Sequence, residues 1–370
     1  MYKITLKDLF SIVFFFCMNL SITLGLSQFH SPNAGQGVEL LLIFVGMAIV
    51  VLEYICYSRI RISSAVFICL VLIIGIMSFI FSGGTTILKL VTFVLIAKEL
   101  DVAKMIKYNN IPLFILFMCV VLSSFVGITD ASYYGGEKIA YRFGFQNPNS
   151  VPVFIFAFIT GYNLICKSIK LKTILVEAAV TGVGVYYLCQ SRTASLTLGI
   201  YLLALLFVFK RHGEQFFKYL LKPMQYLFVV GIILSYYAAN NFSPSDSFWS
   251  EVNLLFSGRF AAWQNYLVTY GMNLFGSTID TSLFGALDNG YMQLLIRYGI
   301  SALLMYGAIF IYLSRYAYKQ RDWVLLLTVV AYEVYFFNEF GPMLVNFCTP
   351  LLVVACLLMN STKQEIEVKK

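Results

Sequence analysis

Apolar runs of about 16 to 22 residues recur along the whole chain, and their length limits what it can fold into. A helix needs about 20 mostly apolar residues to cross the roughly 30 Å hydrocarbon core of a bilayer. Hydrophobic residues make up 60% of the 370 residues and charged residues 12%, which excludes a soluble domain of this length. The sequence therefore predicts an all-α, polytopic membrane protein.

Twelve such runs can be counted along the sequence. They cover residues 9–26, 39–57, 64–81, 86–100, 111–129, 151–166, 173–190, 194–209, 224–240, 291–313, 323–340 and 343–359. No repeat, low-complexity tract or soluble domain separates them. We therefore expect a single transmembrane domain over residues 1–370, with two longer connecting segments at 130–150 and 241–290.

The distribution of positive charge predicts the topology. Cytoplasmic loops are enriched in Lys and Arg, and with the N-terminus inside, twenty of the 26 basic residues fall in inner segments. The alternation holds through twelve crossings, so both termini are predicted to be cytoplasmic. The net charge of +8 mostly reflects this topology and gives no argument for a nucleic-acid partner. Segments 130–150 and 241–290 then face outward, and we expect the active site there.

Four arginines lie on the predicted outer side, where positive charge is normally depleted. They are Arg142, Arg192, Arg259 and Arg297. The planar guanidinium group suits bidentate binding of phosphate oxygens, so the four residues indicate an anionic substrate. For Arg192, in the tight turn between two spans, the alternative is snorkelling to lipid headgroups.

Asparagines and one further helix accompany these arginines. Asn147 and Asn149, just before the sixth span, are candidates for substrate binding, with helix capping as the alternative. In segment 241–290 an amphipathic surface helix is indicated by apolar residues at steps of four and three, namely Phe256, Phe260, Trp263, Leu267 and Tyr270. Ser257-Gly258 would start this helix and place Arg259 beside its free backbone amides.

The tenth span is predicted to open with Asp288-Asn289-Gly290-Tyr291. Asn289, Gln293 and Arg297 follow at steps of four and form one polar line along a helix. Asn289, Tyr291, Gln293 and Arg297 are therefore candidates for substrate binding. Asp288 is a candidate catalytic carboxylate, and its alternative role is that of a simple N-cap.

The order of these motifs resembles a known family. The motifs are Arg142-x-Gly-x-x-Asn-Pro-Asn, Ser191-Arg192-Thr193, Ser257-Gly258-Arg259 with Trp263 and Asn273-Leu-Phe-Gly276, and Asp288-Asn289-x-Tyr291 followed by Gly299. Together they are similar to those of the bacterial O-antigen and capsular polysaccharide polymerases, which are related to the O-antigen ligases. The resemblance covers residues 142 to 300.

The resemblance implies an enzyme that joins undecaprenyl-pyrophosphate-linked oligosaccharide repeat units, as donor and acceptor, at the outer face of the cytoplasmic membrane. Such enzymes look like inverting, metal-independent glycosyltransferases of the integral-membrane class, with undecaprenyl pyrophosphate as leaving group. Arg142, Arg192 and Arg259 would stabilise the charge that develops on it. The family also implies a flippase and a chain-length regulator as partners, besides the lipid bilayer. We expect no cofactor and no metal, because no outer loop carries paired acids.

The catalytic base is the point where the chain departs from the ligase pattern. Asp288 stands where ligases usually show a histidine ahead of Asn, and the only histidine on the predicted outer side is His30. The departure favours a polymerase over a ligase-type transferase. Asp246, Glu251 and Asp280 are the other outer carboxylates that could accept a proton.

A flippase or transporter of lipid-linked oligosaccharide is the second hypothesis. It draws on the ionisable residues within apolar runs, Lys89, Glu177 and Glu333, since intramembrane charge suggests function. A transporter would more typically show related halves and binding residues near mid-membrane. Here the distinctive polar residues cluster at one predicted face.

Overall fold

The computed structural model describes residues 5–29, 34–57, 62–98, 100–135, 138–166, 170–209, 219 and 221–367; His30 lies outside them. It is mostly helical. The helices are Leu6–Leu26, Ala34–Tyr57, Ile62–Ser82, Thr86–Ile96, Val102–Phe125, Ser150–Ile165, Leu171–Ala179, Arg192–Phe209, Leu227–Asn241, Ser247–Leu255, Arg259–Tyr270, Thr281–Phe284, Gly290–Met292, Ile300–Gln320, Trp323–Phe336 and Thr349–Glu367. Val180–Leu188 and Gln293–Tyr298 are π-helical, and Gly341–Met343 is a 3₁₀ turn.

Apolar helices account for the predicted spans. Four are long and apolar enough to cross a membrane, namely Asp8–Leu26, Val102–Phe125, Leu171–Leu188 and Ile300–Gln320. Shorter apolar helices are Leu41–Leu52, Val66–Ser82, Thr86–Ile96, Ser150–Ile165, Arg192–Val208, Leu227–Asn241, Trp323–Phe336 and Thr349–Asn360. These helices agree with an all-α membrane protein. The number of twelve crossings and the cytoplasmic termini stay predictions.

Contacts group the chain into two compact units, where the sequence predicts one domain. Unit 1 contains residues 1–66, 92–209 and 345–370, and unit 2 contains residues 67–91 and 210–344. Each unit is assembled from stretches that are distant in sequence. For that reason no Pro- or Gly-rich linker marks a boundary between them.

Unit 1 has a core of aromatic rings and amides. The rings of Phe14, Phe15 and Phe93 meet edge to face, with centroids 5.3 to 5.4 Å apart. A buried amide network joins distant segments: Asn19 donates to the Asn109 carbonyl, Asn109 to the Asn346 carbonyl and Asn346 to the Asn19 side-chain oxygen, each at 2.8 Å. Buried polar groups that satisfy one another in this way fix a unique packing.

Unit 1 also carries a β-hairpin in segment 130–150. Strand Ser132–Gly135 pairs antiparallel with Lys138–Tyr141, and Ser132 lies opposite Tyr141. The residues that follow the hairpin bond back to the end of the first helix, because Gln28 N–H donates to the Gly144 carbonyl and Gln146 N–H to the Leu26 carbonyl, both at 2.9 Å. This holds the loop that contains Arg142 in a defined position.

Unit 2 corrects the prediction for the tenth span. Residues 291–313 do not form one helix, because the chain breaks at Gly299, which has φ +92°. An extended segment takes over the backbone hydrogen bonds at the break. Ile300 N–H donates to the Asn273 carbonyl at 3.0 Å, and Ser277 N–H donates to the Arg297 carbonyl at 3.1 Å. Unpaired backbone groups are costly in apolar surroundings, so the Asn273-to-Gly276 motif stabilises the break.

Gly276 tests this arrangement. A Cβ at this position would collide with the Arg297 carbonyl oxygen, so Gly276→Ala should separate the extended segment from the break. Gly285 also has a positive φ but nothing within 4 Å of its virtual Cβ, so Gly285→Ala isolates backbone strain, which costs about 1–3 kcal/mol. We expect Gly276→Ala to lower the unfolding midpoint in detergent clearly more than Gly285→Ala. Equal midpoints would contradict a supporting role for the motif.

Candidate functional site

A strained turn places Arg259 at the start of its helix. Ser257 and Gly258 both have positive φ, +58° and +79°, and they reverse the chain between Ser247–Leu255 and Arg259–Tyr270. The side-chain oxygen of Asn253 accepts from Phe260 N–H at 3.0 Å, which satisfies one of the free amides of the first turn. The predicted start of this helix at Arg259 is therefore confirmed.

The buried face of the helix agrees with the predicted stripe in part. Phe260, Trp263 and Tyr266 are buried, whereas Leu267 and Tyr270 are half-buried. The Trp263 ring packs edge to face on Phe337, with centroids 5.5 Å apart. This packing anchors the helix that carries Arg259 next to the segment that follows Trp323–Phe336.

Arg259 lies between two carboxyl groups. Its Nη2 is 3.1 Å from Asp288 Oδ2 and 3.0 Å from Glu339 Oε1, and its Nη1 donates to the Asn338 carbonyl. The side chains of Arg259, Asp288 and Glu339 are 18%, 29% and 9% exposed. We call these three residues the Arg259 cluster, in which Asp288 is the most accessible member.

The balance of charge in the Arg259 cluster shifts both carboxyl groups toward neutrality. Burial and the neighbouring Asp288 carboxylate raise the pKa of Glu339 to about 7, against the opposing charge and hydrogen bond of Arg259. Burial also raises the pKa of Asp288, again opposed by Arg259. A single guanidinium cannot fully compensate two buried carboxylates. The pair can therefore take up or release a proton near neutral pH, as acid–base chemistry requires.

Asn289, and not Asp288, caps the short helix that begins at Gly290. Its side-chain oxygen accepts from Met292 N–H at 2.9 Å, and its amide nitrogen donates to Ser235 Oγ at 2.9 Å and to the Phe337 carbonyl at 2.8 Å. Asn289 is fully buried. The alternative role of Asp288 as a simple N-cap is thus wrong, and Asn289 joins three segments beside the Arg259 cluster.

The other three residues of the predicted polar line have different surroundings. Tyr291 is buried, and its hydroxyl donates to the Glu333 carbonyl at 2.7 Å. Gln293 donates to the Leu287 carbonyl at 2.9 Å, while its side-chain oxygen is buried without a hydrogen bond. The Arg297 guanidinium lies 5.6 Å from the ring centroid of Tyr298. No direct contact joins these residues to the Arg259 cluster within the described part of unit 2.

Arg142 and its asparagines belong to unit 1. Arg142 Nη2 is 2.8 Å from Asp130 Oδ2, with the Arg142 side chain 20% exposed and Asp130 76% exposed. The side-chain oxygen of Asn147 accepts from Asn149 N–H at 2.8 Å, and Asn149 precedes helix Ser150–Ile165 without a side-chain cap. Asn147 thus shapes the turn before the helix, and Arg142 stands in an accessible ion pair.

Arg192 begins helix Arg192–Phe209 and is exposed. The preceding Gln190 has φ +55° and donates to the Ile139 carbonyl at 2.9 Å, which connects this turn to the β-hairpin. A cavity of about 460 Å³ opens here. It is lined by Ile139, Tyr141, Tyr186, Tyr187, Gln190 and Arg192. Arg192 therefore faces a pocket whose walls are largely tyrosine.

Glu339 is the member of the Arg259 cluster that the sequence analysis missed. The apolar run was extended to residue 340, whereas the helix ends at Phe336, so a loop carboxylate was counted inside a span. Gly341-Pro342 after it is the signal that could have placed the turn earlier.

The remaining acidic candidates act locally. Asp246 and Asp280 cap helices, accepting from Phe248 N–H and Ser282 N–H at 2.9 Å, and Glu251 is exposed. Across the described ranges, no three His, Cys, Asp or Glu side chains come together as a metal site would require. No protein-family model, curated protein or solved structure matches the chain.

The raised pKa of Glu339 predicts how stability depends on pH. Because the folded protein holds this proton more tightly than the unfolded chain, stability is highest at low pH and falls as pH rises from about 4.5 to about 7. Glu339→Gln should remove most of this fall, no more than about 3 kcal/mol. Unfolding midpoints in detergent between pH 5 and 8 would measure it. Glu251→Gln, at an exposed carboxylate of the same unit, should keep the native pH dependence, and an unchanged slope in Glu339→Gln would refute the assignment.

Proposed function

We propose that the chain is a polysaccharide polymerase that joins undecaprenyl-pyrophosphate-linked oligosaccharides at the outer face of the cytoplasmic membrane. The Arg259 cluster is the observation that carries this proposal. It combines a phosphate-binding side chain with carboxyl groups that can exchange a proton near neutral pH. The family resemblance over residues 142–300 and the predicted multi-pass topology, with both termini cytoplasmic, support the outward orientation.

The proposed reaction is an inverting displacement. A hydroxyl of the acceptor unit attacks the anomeric carbon of the donor, the bond from that carbon to the pyrophosphate breaks, and undecaprenyl pyrophosphate leaves with the electron pair. Asp288, the most exposed carboxyl of the cluster, accepts the proton of the attacking hydroxyl. Its raised pKa makes it a stronger base than an ordinary aspartate.

Arg259 and Glu339 have supporting roles in this scheme. Arg259 holds Asp288 in place and supplies positive charge toward the leaving pyrophosphate, which gains negative charge in the transition state. Glu339 keeps the pKa of the pair near neutrality by sharing the same guanidinium. Arg142 and Arg192, which belong to unit 1, remain predicted contributors to binding of the pyrophosphate.

A second candidate function, transport of the lipid-linked oligosaccharide, is favoured by one observation. Glu333 lies within helix Trp323–Phe336, is 1% exposed and makes no hydrogen bond through either carboxyl oxygen. Ionisable groups inside membrane helices usually mark ion or substrate pathways. A polymerase does not require such a group.

The test of the polymerase is elongation by the purified protein in nanodiscs, supplied with the lipid-linked repeat unit of its host and no nucleotide sugar. Native protein should produce longer glycans. Asp288→Asn should slow elongation about 10²-fold or more through loss of the base. Arg259→Lys should also be strongly impaired, because one ammonium cannot contact both carboxyl groups and the Asn338 carbonyl. Arg315→Gln removes a charge on the predicted inner side and should leave the rate unchanged.

The dependence of the rate on pH separates the base from a structural carboxyl. Because burial raises the pKa of Asp288, the native rate should increase as pH rises and this residue loses its proton. Asp288→Asn should lose that dependence. Failure of native protein to elongate, together with movement of intact lipid-linked unit across a vesicle bilayer that Glu333→Gln abolishes, would replace the polymerase by the transporter.

A further inference from the structure

A second cavity of unit 1 runs along its membrane helices and ends at Arg192. It measures about 710 Å³, and its lining includes Ile174, Thr181, Gly182, Leu196, Gly199 and Leu206. Only Arg192 among all its lining residues carries a charge. We call this cavity the Arg192 groove.

Small residues create the Arg192 groove. A Cβ added at Gly182 or at Gly199 would meet nothing within 4 Å, so both glycines leave open space between Leu171–Leu188 and Arg192–Phe209. Ile174 and Thr181 are buried and form the floor, whereas Leu196 is 66% exposed at the rim. Residues 180–188 are π-helical, a conformation that often accompanies functional sites.

The groove continues into the tyrosine-lined cavity. Both share Tyr186 and Arg192 as lining residues. The apolar part thus leads to one guanidinium, and beyond it lie Tyr141, Tyr187 and Gln190. A long apolar channel, a single positive charge and a polar aromatic pocket match, in that order, the acyl chain, the phosphate and the hydroxyl-bearing headgroup of a lipid.

The length of the groove indicates which lipid occupies it. From Leu206 to Arg192 the helix rises roughly 20 Å at 1.5 Å per residue, somewhat more than the about 15 Å of one leaflet of the hydrocarbon core. This length suits a fatty acyl chain, whereas a polyprenyl chain would extend far beyond it. We propose that the Arg192 groove binds one anionic phospholipid with a hydroxyl-bearing headgroup, of the phosphatidylglycerol type, with its phosphate at Arg192.

Native mass spectrometry of the full chain, released from detergent with phosphatidylglycerol or with zwitterionic phosphatidylethanolamine, tests this site. One phosphatidylglycerol should remain bound per chain in preference to phosphatidylethanolamine. Arg192→Gln should weaken its retention about tenfold or more, the loss expected of a charge-assisted hydrogen bond, and Arg192→Lys should restore part of it. Arg142→Gln, which removes the other outer arginine of unit 1, should retain the lipid.

A second pair of variants tests the apolar part without changing charge. Gly199→Leu fills the groove and should weaken retention by a similar factor, whereas Ile200→Phe enlarges an exposed side chain of the same helix outside the groove and should not. Equal retention of both phospholipids, or native retention by Arg192→Gln, would overturn the proposal. So would displacement of phosphatidylglycerol by undecaprenyl phosphate at equal concentration, which would make the lipid carrier the occupant. The measurement involves no turnover, so its outcome is independent of the polymerase proposal.

Discussion

The requirement that backbone N–H and C=O groups be satisfied in apolar surroundings is the constraint on which the remaining structure depends. Most of the chain meets it with helices. At Gly299 the helix is interrupted, and the Asn273-to-Gly276 segment supplies the missing partners. A sequence that resembles a binding motif therefore has a plain structural task. The close backbone approach at Gly276 explains why a side chain is excluded there.

The Arg259 cluster is assembled where three helices start or stop. The Ser257-Gly258 turn starts the helix of Arg259, the cap at Asn289 leaves Asp288 outside its helix, and the end of Trp323–Phe336 allows the chain to turn back at Glu339. Helix ends are the only parts of a spanning helix at which charged side chains can meet without crossing apolar core. The chemistry of unit 2 is therefore a product of its capping and its turns.

Periodicity and charge predicted the helical class, the surface helix and its start at Arg259, because these depend on local sequence. They could not predict the break at Gly299, since a glycine in an apolar run reads as part of a helix until a distant segment is seen to cap it. Nor could they pair Arg259 with Glu339, 80 residues away. The end of the apolar run at residue 340 concealed Glu339, because hydropathy does not resolve the last turn of a helix from the loop after it.

Positive charge has two distinct settings in this chain, and they differ in what they can bind. Arg259 is partly buried and shared between two carboxyl groups, so any anion that approaches it competes with Asp288 and Glu339, and binding is tied to their protonation. Arg192 is exposed at the end of an apolar groove, where an anion gains from the charge while its apolar chain gains from burial. The first setting suits a charge that appears transiently during a reaction. The second suits a lipid phosphate that stays bound.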